Sequence, residues 1–176
     1  MKRLNERVNQ ALSLIEETDG ATDGARRVTA LGLTANVVNA NRRRYSRAVL
    51  ERALSEINVM ESVGQGRLIA TGEAEHPNDK GGRPALLETV VKWQAAQMQG
   101  DQVLLEGLIL PTAKGRDILT LIEHGVPIGV SMRGYGRSKA TKEAGETVQE
   151  VQELKITGWD LVAEPSDPYA RLLESR

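Results

Sequence analysis

The stretch PIGVSMRGYG, residues 127–136, carries most of the information about the fold. Apolar residues alternate with small or polar ones, which is typical of a β-strand whose successive side chains face opposite ways. The face turned to the core would carry Ile128, Val130 and Met132. Ser131 and Arg133 would then share the other face and point outward. A hydroxyl beside a guanidinium suits a nucleophile with a nearby oxyanion stabiliser, although an ordinary surface serine is the simpler interpretation of the strand alone.

The two histidines of the chain lie in different contexts. His76 ends a predicted strand in GEAEHP, residues 72–77, where Pro77 restricts the backbone of His76 to extended conformations. Such a histidine could act as a general base toward a hydroxyl, and a surface loop histidine is the alternative. His124 falls in the last turn of a predicted helix, where a cation complements the helix dipole, so we expect a structural role for it.

Asp160 stands in an otherwise apolar strand, TGWDLVAEPS at residues 157–166. Burying a carboxylate there is unfavourable unless another group pairs with it. Orienting a catalytic imidazole would be one such pairing. A hydrogen bond to a backbone amide is an equally simple account, and the sequence leaves both open.

The start of the chain predicts a separate segment. Apolar residues recur at helical spacing over 2–18, and DGATDG at 19–24 is typical of turns. The pattern therefore predicts an N-terminal helix and linker over 1–24 and a single domain over 25–176.

Within that domain, strands outnumber helices. The runs 87–98 and 102–110 predict a hairpin that turns at Gly100 and Asp101. Ser46 can cap one helix, Gly125 can end a second, and 137–147 reads as a polar loop before a last strand at 148–163. This order predicts an α+β fold, with a β-barrel or a strongly curled, mostly antiparallel sheet flanked by helices.

Composition excludes several classes of protein. The 176 residues include no cysteine and only two histidines, which excludes disulfide scaffolds, cysteine nucleophiles and thiolate or multi-histidine metal centres. The 23 Lys and Arg residues balance 24 Asp and Glu, so no specific binding to nucleic acid is expected. No apolar run approaches the length of a membrane span, which predicts a soluble protein without a membrane partner.

Together and in order, these segments resemble a known family. The motifs are Gly72-Glu73-x-Glu75-His76-Pro77, Gly129-Val130-Ser131-x-Arg133-Gly134 and Asp160-Leu161-Val162-x-x-Pro165-Ser166. They resemble the prohead core serine proteases of tailed bacteriophages, which are related in fold to the herpesvirus assemblins. The similarity runs from about residue 28 to residue 171, nearly the whole domain.

The resemblance implies a serine endopeptidase inside the immature procapsid, in the host cytoplasm. It would cleave scaffold or core proteins, the N-terminal region of the major capsid protein and itself. The resemblance implies no cofactor or metal, and it is compatible with a homo-oligomer. Carried over by position, Ser131 is the nucleophile and His76 the general base. The oxyanion or substrate would be held by Arg133, Arg171 and Gly134.

The third catalytic member and the activity itself each have alternatives. Assemblins use a second histidine where this chain offers Asp160, so Glu164, Glu73 and Glu75 compete with Asp160 for the position beside His76. A non-enzymatic, scaffold-like capsid-assembly protein on the same fold is the alternative function.

The resemblance also implies where the chain would cut itself. One branch of the family cuts after glutamate when Leu or Ile stands two positions earlier. Residues 14–16 and 172–174 fit this pattern near the two ends of the chain. Residues 86–88 and 104–106 fit it as well, and we expect sheet pairing to shield both.

Overall fold

The computed structural model describes residues 2–8, 13–14, 24–57, 71–76 and 85–164. In chain order its strands are β1 (Lys2–Val8), β2 (Ser13–Leu14), β3 (Arg26–Thr34), β4 (Arg43–Tyr45), β5 (Thr71–Glu73), β6 (Thr89–Gln99), β7 (Gln102–Ile109), β8 (Gly129–Glu143) and β9 (Glu146–Val162). The helices are α1 (Arg47–Ser55) and α2 (Ala113–Glu123), and a 3-10 turn spans Leu86–Glu88.

The strands form two mostly antiparallel sheets. One has four strands in the order β1-β8-β9-β4, and the other has five in the order β2-β3-β7-β6-β5. The pairing of β4 with β9 is parallel. The predicted α+β class is therefore confirmed, but no ladder among the described residues closes the strands into a barrel. The sheets instead meet through an isolated parallel bridge between Ala74, after β5, and Leu161 in β9.

Local signals predicted the central elements well. The hairpin of β6 and β7 turns at Gly100 and Asp101, as expected. The Ser46 side chain accepts a hydrogen bond from the Val49 amide at the start of α1, which satisfies one of the free N–H groups there. Beyond the end of α2, Gly125 has a φ of 73°, a conformation that glycine adopts without steric cost.

Two predicted elements are wrong. Residues 2–8 form a strand rather than part of a helix, because pairing with β8 supplies their backbone hydrogen bonds and overrides the helical spacing. The polar stretch 137–147 is the end of a long hairpin rather than a loop, since β8 and β9 stay paired up to Glu143 opposite Glu146. The division of the chain at residue 24 remains a prediction.

Large apolar side chains hold the two sheets together. Trp93 in β6 and Trp159 in β9 are both fully buried. The indole N–H of Trp93 donates to the backbone oxygen of Trp159 at 3.1 Å, which ties one sheet to the other. Around them lies an aliphatic core that includes Val28, Leu50, Val91, Leu105, Ile109, Val130 and Leu161. In the described part of the chain, no helix is long and apolar enough to cross a membrane.

Candidate active site

The pairing of β8 with β9 places a serine beside an aspartate. Ser131 and Asp160 are direct cross-strand partners in this ladder. Directly opposed residues of an antiparallel pair project from the same face with their Cβ atoms about 5 Å apart. Both residues are fully buried. The register of one hairpin therefore sets the distance between the hydroxyl and the carboxylate.

Strand β5 brings the histidine to this pair. Gly72 packs so closely against β9 that a Cβ atom there would lie 2.0 Å from the backbone oxygen of Trp159. A larger residue at this position would push β5 away from the hairpin. Glycine at position 72 thus allows the chain to continue past Ala74 and carry His76 across the face of β9.

Glu75 fixes the turn that precedes His76. Its φ is 66°, a left-handed conformation that is unusual for a residue other than glycine. The Glu75 amide donates to the Leu161 oxygen at 2.7 Å, and its carboxylate accepts from the Ala163 amide at 2.9 Å. These two bonds to the end of β9 hold an otherwise unfavourable backbone conformation.

The three side chains form a continuous hydrogen-bonded chain. His76 Nε2 lies 2.6 Å from Ser131 Oγ, and His76 Nδ1 lies 2.7 Å from Asp160 Oδ2. Because a carboxylate only accepts hydrogen bonds, a neutral His76 must donate from Nδ1. Nε2 is then the acceptor for the Ser131 hydroxyl proton. This is the arrangement that a nucleophile, its base and an orienting carboxylate need.

Arg133 and the backbone of Glu73 complete the surroundings of Asp160. Arg133 Nε donates to Asp160 Oδ2 at 2.7 Å, and the Glu73 amide donates to Oδ1 at 3.0 Å. The guanidinium also reaches the Thr71 oxygen at 3.4 Å. A buried carboxylate is strongly destabilising when unpaired, and these donors supply partners for both of its oxygens and fix it in place.

Glu73 is a second buried acid next to this cluster. Only 3% of its surface is exposed, and its carboxylate accepts a hydrogen bond from the Ala85 amide. Burial raises the pKa of Glu73 above its ordinary value of 4.5, and the nearby charge of Asp160 raises it further. The Ala85 N–H and the charge of Arg133 lower the pKa, but they do not reverse the shift.

One sequence-based expectation needs correction here. Ser131 and Arg133 do not point out to solvent, because the β5 segment covers the face that the strand pattern left open; they are 0% and 3% exposed. The Arg133 guanidinium binds the same Asp160 oxygen as the His76 ring, and it also reaches the Thr71 oxygen. These contacts hold Asp160, and a role of Arg133 toward an oxyanion remains a prediction.

The competing acids lie elsewhere. The Glu73 carboxylate binds Ala85, the Glu75 carboxylate binds Ala163, and Glu164 is exposed. The group beside the His76 ring is Asp160, at the distance that a direct hydrogen bond requires.

The remaining predicted residues fall into different places. Gly134 follows a register shift in β8, and a Cβ there would lie 2.8 Å from the Lys155 oxygen. His124 is the C-cap of α2, and its Nδ1 lies 2.8 Å from the Thr120 oxygen, which fits the structural role expected of it. Arg171 and residues 172–174 lie outside the described residues, as do residues 15 and 16.

The sequence did not reveal what the two glutamates before His76 do. The sequence indicates Glu73 and Glu75 only as competing partners for the imidazole. In the structure, the Glu73 carboxylate accepts a hydrogen bond from the Ala85 amide, and the Glu75 carboxylate accepts one from the Ala163 amide. The signal that could have identified them is the concentration of acids directly before a histidine at a strand end.

The side chains brought together here suit acyl transfer rather than metal chemistry. Among the described residues, no group of three or more histidine or acidic side chains could hold a metal ion. The imidazole has 16% of its side-chain surface exposed, against 0% for Asp160 and 4% for Arg133, so the site opens to solvent on the imidazole side.

Comparison with known proteins gives matches along almost the whole chain. The family described as prohead core protein serine protease matches residues 8–174. The prohead core protein protease of Enterobacteria phage T4 is 30% identical over 164 residues, which cover 89% of this chain and 74% of that protein. The structure of the bacteriophage T4 capsid assembly protease covers 93% of this chain and 98% of its own, with a TM-score of 0.73 and 23% identity, and it supports the fold alone.

Proposed function

This chain belongs to the prohead core serine protease family, and we propose that it hydrolyses peptide bonds with Ser131 as nucleophile, His76 as general base and Asp160 as the third member. The observation that carries the proposal is the hydrogen-bonded chain from Ser131 through His76 to Asp160, with links of 2.6 and 2.7 Å. Both lengths suit proton transfer between a nucleophile and its base.

The proposed reaction has two halves. Ser131 Oγ attacks the carbonyl carbon of the scissile bond while His76 Nε2 accepts the hydroxyl proton. The imidazolium then gives that proton to the leaving amine, and a water molecule, activated by the same nitrogen, hydrolyses the acyl-enzyme. Asp160 keeps the Nδ1 proton in place and stabilises the imidazolium during both halves.

Arg133 acts on this reaction through Asp160. Its Nε and the His76 ring share the same carboxylate oxygen, each at 2.7 Å. The guanidinium therefore holds the Asp160 carboxylate in the orientation in which it binds the His76 ring, and it compensates the buried charge. Contact of Arg171 or the backbone near Gly134 with the oxyanion remains a prediction.

The substrates follow from the family. We propose that the chain cleaves scaffold or core proteins and the N-terminal region of the major capsid protein, inside the procapsid within the host cell. A non-enzymatic capsid-assembly protein is the other candidate function, which the intact serine, histidine and aspartate disfavour.

Self-cleavage is a further part of the proposal, and the structure changes where we expect it. Residues 86–88 fit the family pattern, and they form an exposed 3-10 turn instead of a shielded strand, with Leu87 91% exposed. Residues 104–106 lie in β7, which is paired with a strand on each side. We therefore expect cleavage after Glu88 and none after Glu106.

Co-expression with the capsid and core proteins of the same phage tests the function. When the chain retains Ser131, mass spectrometry of the products should show fragments of those proteins and a cut after Glu88 of this chain. The Ser131→Ala protein, expressed with the same partners, should leave every chain whole. Whole substrates in both experiments would favour the non-enzymatic candidate.

A further inference from the structure

Glu73 connects the Asp160 carboxylate with the segment that carries the histidine. Its backbone amide donates to Asp160 Oδ1 at 3.0 Å, and its own carboxylate accepts a hydrogen bond from the Ala85 amide, twelve positions further along the chain. His76 lies between these two positions. One residue therefore binds Asp160 through its backbone and closes the His76 segment through its side chain.

The backbone around Glu73 shows why this side chain matters. The pairing of β5 with β6 shifts register between Gly72 and Glu73, and such a shift interrupts the regular ladder. The Glu75 amide binds the backbone of β9 at the Leu161 oxygen, whereas the Glu73 amide binds a side chain of that strand. The bond from Ala85 to the Glu73 carboxylate therefore supplies a constraint at a point where the ladder is irregular.

An acid is an unfavourable choice for this position unless it has a role. Glu73 is only 3% exposed, and burial raises the pKa of its carboxyl group above 4.5. The charged groups around it come from three elements: Asp160 in β9 raises this pKa further, and Arg133 in β8 and Lys114 in α2 lower it. Buried acids with a shifted pKa are concentrated at functional sites, which supports a role for Glu73 beside Asp160.

We infer that Glu73 is a positioning residue for the proposed reaction: its carboxylate, bound to the Ala85 amide, fixes the Glu73 backbone against Asp160 and thereby fixes the group that orients His76. The inference rests on the proposed function and adds a residue to it. It requires the Glu73 side chain as a hydrogen-bond acceptor rather than as a charge. Without this acceptor, Asp160 keeps its bond to Arg133 but loses a fixed donor to Oδ1, so the imidazole should be less well aligned with the Ser131 hydroxyl.

The test is a set of full-length variants that separate the acceptor from the rest of the side chain. Glu73→Gln keeps an oxygen for the Ala85 amide, whereas Glu73→Met has a similar length and no oxygen. Ala85→Pro removes the N–H donor at the other end of the same bond, on an exposed residue. Lys114→Met is the matched control, because it releases the same turn from the exposed ion pair of Lys114 with Glu88.

The measured quantity is the rate at which Ser131 reacts with a fluorophosphonate at neutral pH, with circular dichroism as the check of folding. We expect Glu73→Met and Ala85→Pro to react about ten- to hundredfold more slowly than the unaltered chain, because a small misplacement of the imidazole is enough for such a loss. Glu73→Gln and Lys114→Met should keep the original rate. Equal rates for Glu73→Met and Glu73→Gln would overturn the inference, and Ala85→Pro decides the matter if Glu73→Met does not fold.

A spectroscopic measurement separates positioning from a loss of stability. The proton on His76 Nδ1 gives a far-downfield NMR resonance while it lies in a short hydrogen bond to a carboxylate. This resonance should stay in place in Glu73→Gln and move upfield in folded Glu73→Met and Ala85→Pro. An unchanged resonance in all three would contradict the positioning role. Failure of the proposed function would look different, since Ser131 of the unaltered chain would form no adduct, while the resonance would still report how Asp160 meets the ring.

Discussion

The hairpin of β8 and β9 has two ends that use the same kinds of residue for different purposes. At the inner end, around Ser131 and Asp160, every residue of Gly129–Arg133 is buried. At the outer end, residues 137–143 are exposed or half-exposed, and Arg44 binds Glu143 and Glu150 there at 2.6 and 2.7 Å. Each end thus combines an arginine, a carboxylate and a serine, although the arginine of the outer end comes from β4.

The comparison teaches that burial, rather than residue type, gives the inner end its chemistry. An exposed ion pair exchanges strong hydration for a weak attraction, so it contributes little to the free energy of unfolding. A buried carboxylate has lost its hydration, so its geometry and charge depend on the few donors that surround it. Changes at the inner end should therefore have large effects, and the same changes at the outer end should not.

The largest expected difference is between two serines of β8. Ser131→Ala should lower kcat/KM by about a thousandfold or more, because it removes the nucleophile. Ser138→Ala, at the outer end where Ser138 binds Gln149, should leave kcat/KM unchanged. Hydrolysis of a peptide substrate measures both, and circular dichroism establishes that both proteins are folded. Equal activity of the two variants would remove the distinction between the ends.

The next difference concerns two carboxylates of β9. Asp160→Asn keeps the shape but loses the charge that fixes the imidazole tautomer, so kcat should fall by up to about ten-thousandfold. Glu150→Gln, which alters the outer ion pair with Arg44, should retain full activity, and so should Glu164→Gln. The kcat values of the three proteins measure this prediction. Loss of activity in Glu164→Gln, with Asp160→Asn active, would move the third catalytic role to Glu164.

The two arginines should differ in stability. Arg133→Met leaves the Asp160 carboxylate buried with one donor fewer, which should lower the free energy of unfolding by about 3–5 kcal/mol. Arg44→Met removes one exposed pair and one partly buried pair, and its unfolding midpoint in urea should fall far less than that of Arg133→Met. Similar midpoints for the two variants would show that the buried pair of Arg133 and Asp160 stabilises the fold no more than the pairs of Arg44 do.

The smallest expected effect is the pH dependence that Glu73 adds at the inner end. Its pKa is raised in the folded protein, so folding favours the protonated form. The stability that Glu73 contributes is complete below about pH 4.5 and is lost as pH rises through the raised pKa. The free energy of unfolding of Glu73→Gln, relative to the unaltered protein, should therefore increase over this range. Urea titrations of both proteins, between about pH 4 and pH 8, measure this difference. A constant difference across that range would mean that the pKa of Glu73 is not raised.

Short-range signals predicted the fold where the structure follows them. Ser46 and Gly125 marked helix ends correctly, and the apolar runs around Gly100 gave the hairpin of β6 and β7. The helix predicted over 2–18 is wrong at residues 2–8, where pairing with a distant strand decides the structure. The polar residues 137–147 predicted a loop, because a strand that pairs through charged side chains shows no alternation of apolar residues.

The sequence grouped three side chains that the structure brings together, but it did not show what surrounds them. The order of the motifs grouped His76, Ser131 and Asp160, and the distances between them agree with that grouping. The partner of Arg133 could not be inferred, because it depends on how closely β5 approaches β9 at Gly72. Strand alternation shows which residues share a face, but it does not show what covers that face.

Reaction of the chain with a fluorophosphonate, followed by mass spectrometry of the intact protein and its peptides, tests the central claim most directly. An activated serine forms a covalent adduct with this reagent, whereas ordinary serines do not. The account predicts one adduct per chain, located on Ser131, which forms far more slowly in the His76→Ala and Asp160→Asn proteins. An adduct on another residue, or no adduct on Ser131 in the folded chain, would contradict the assignment of Ser131, His76 and Asp160 as the catalytic residues.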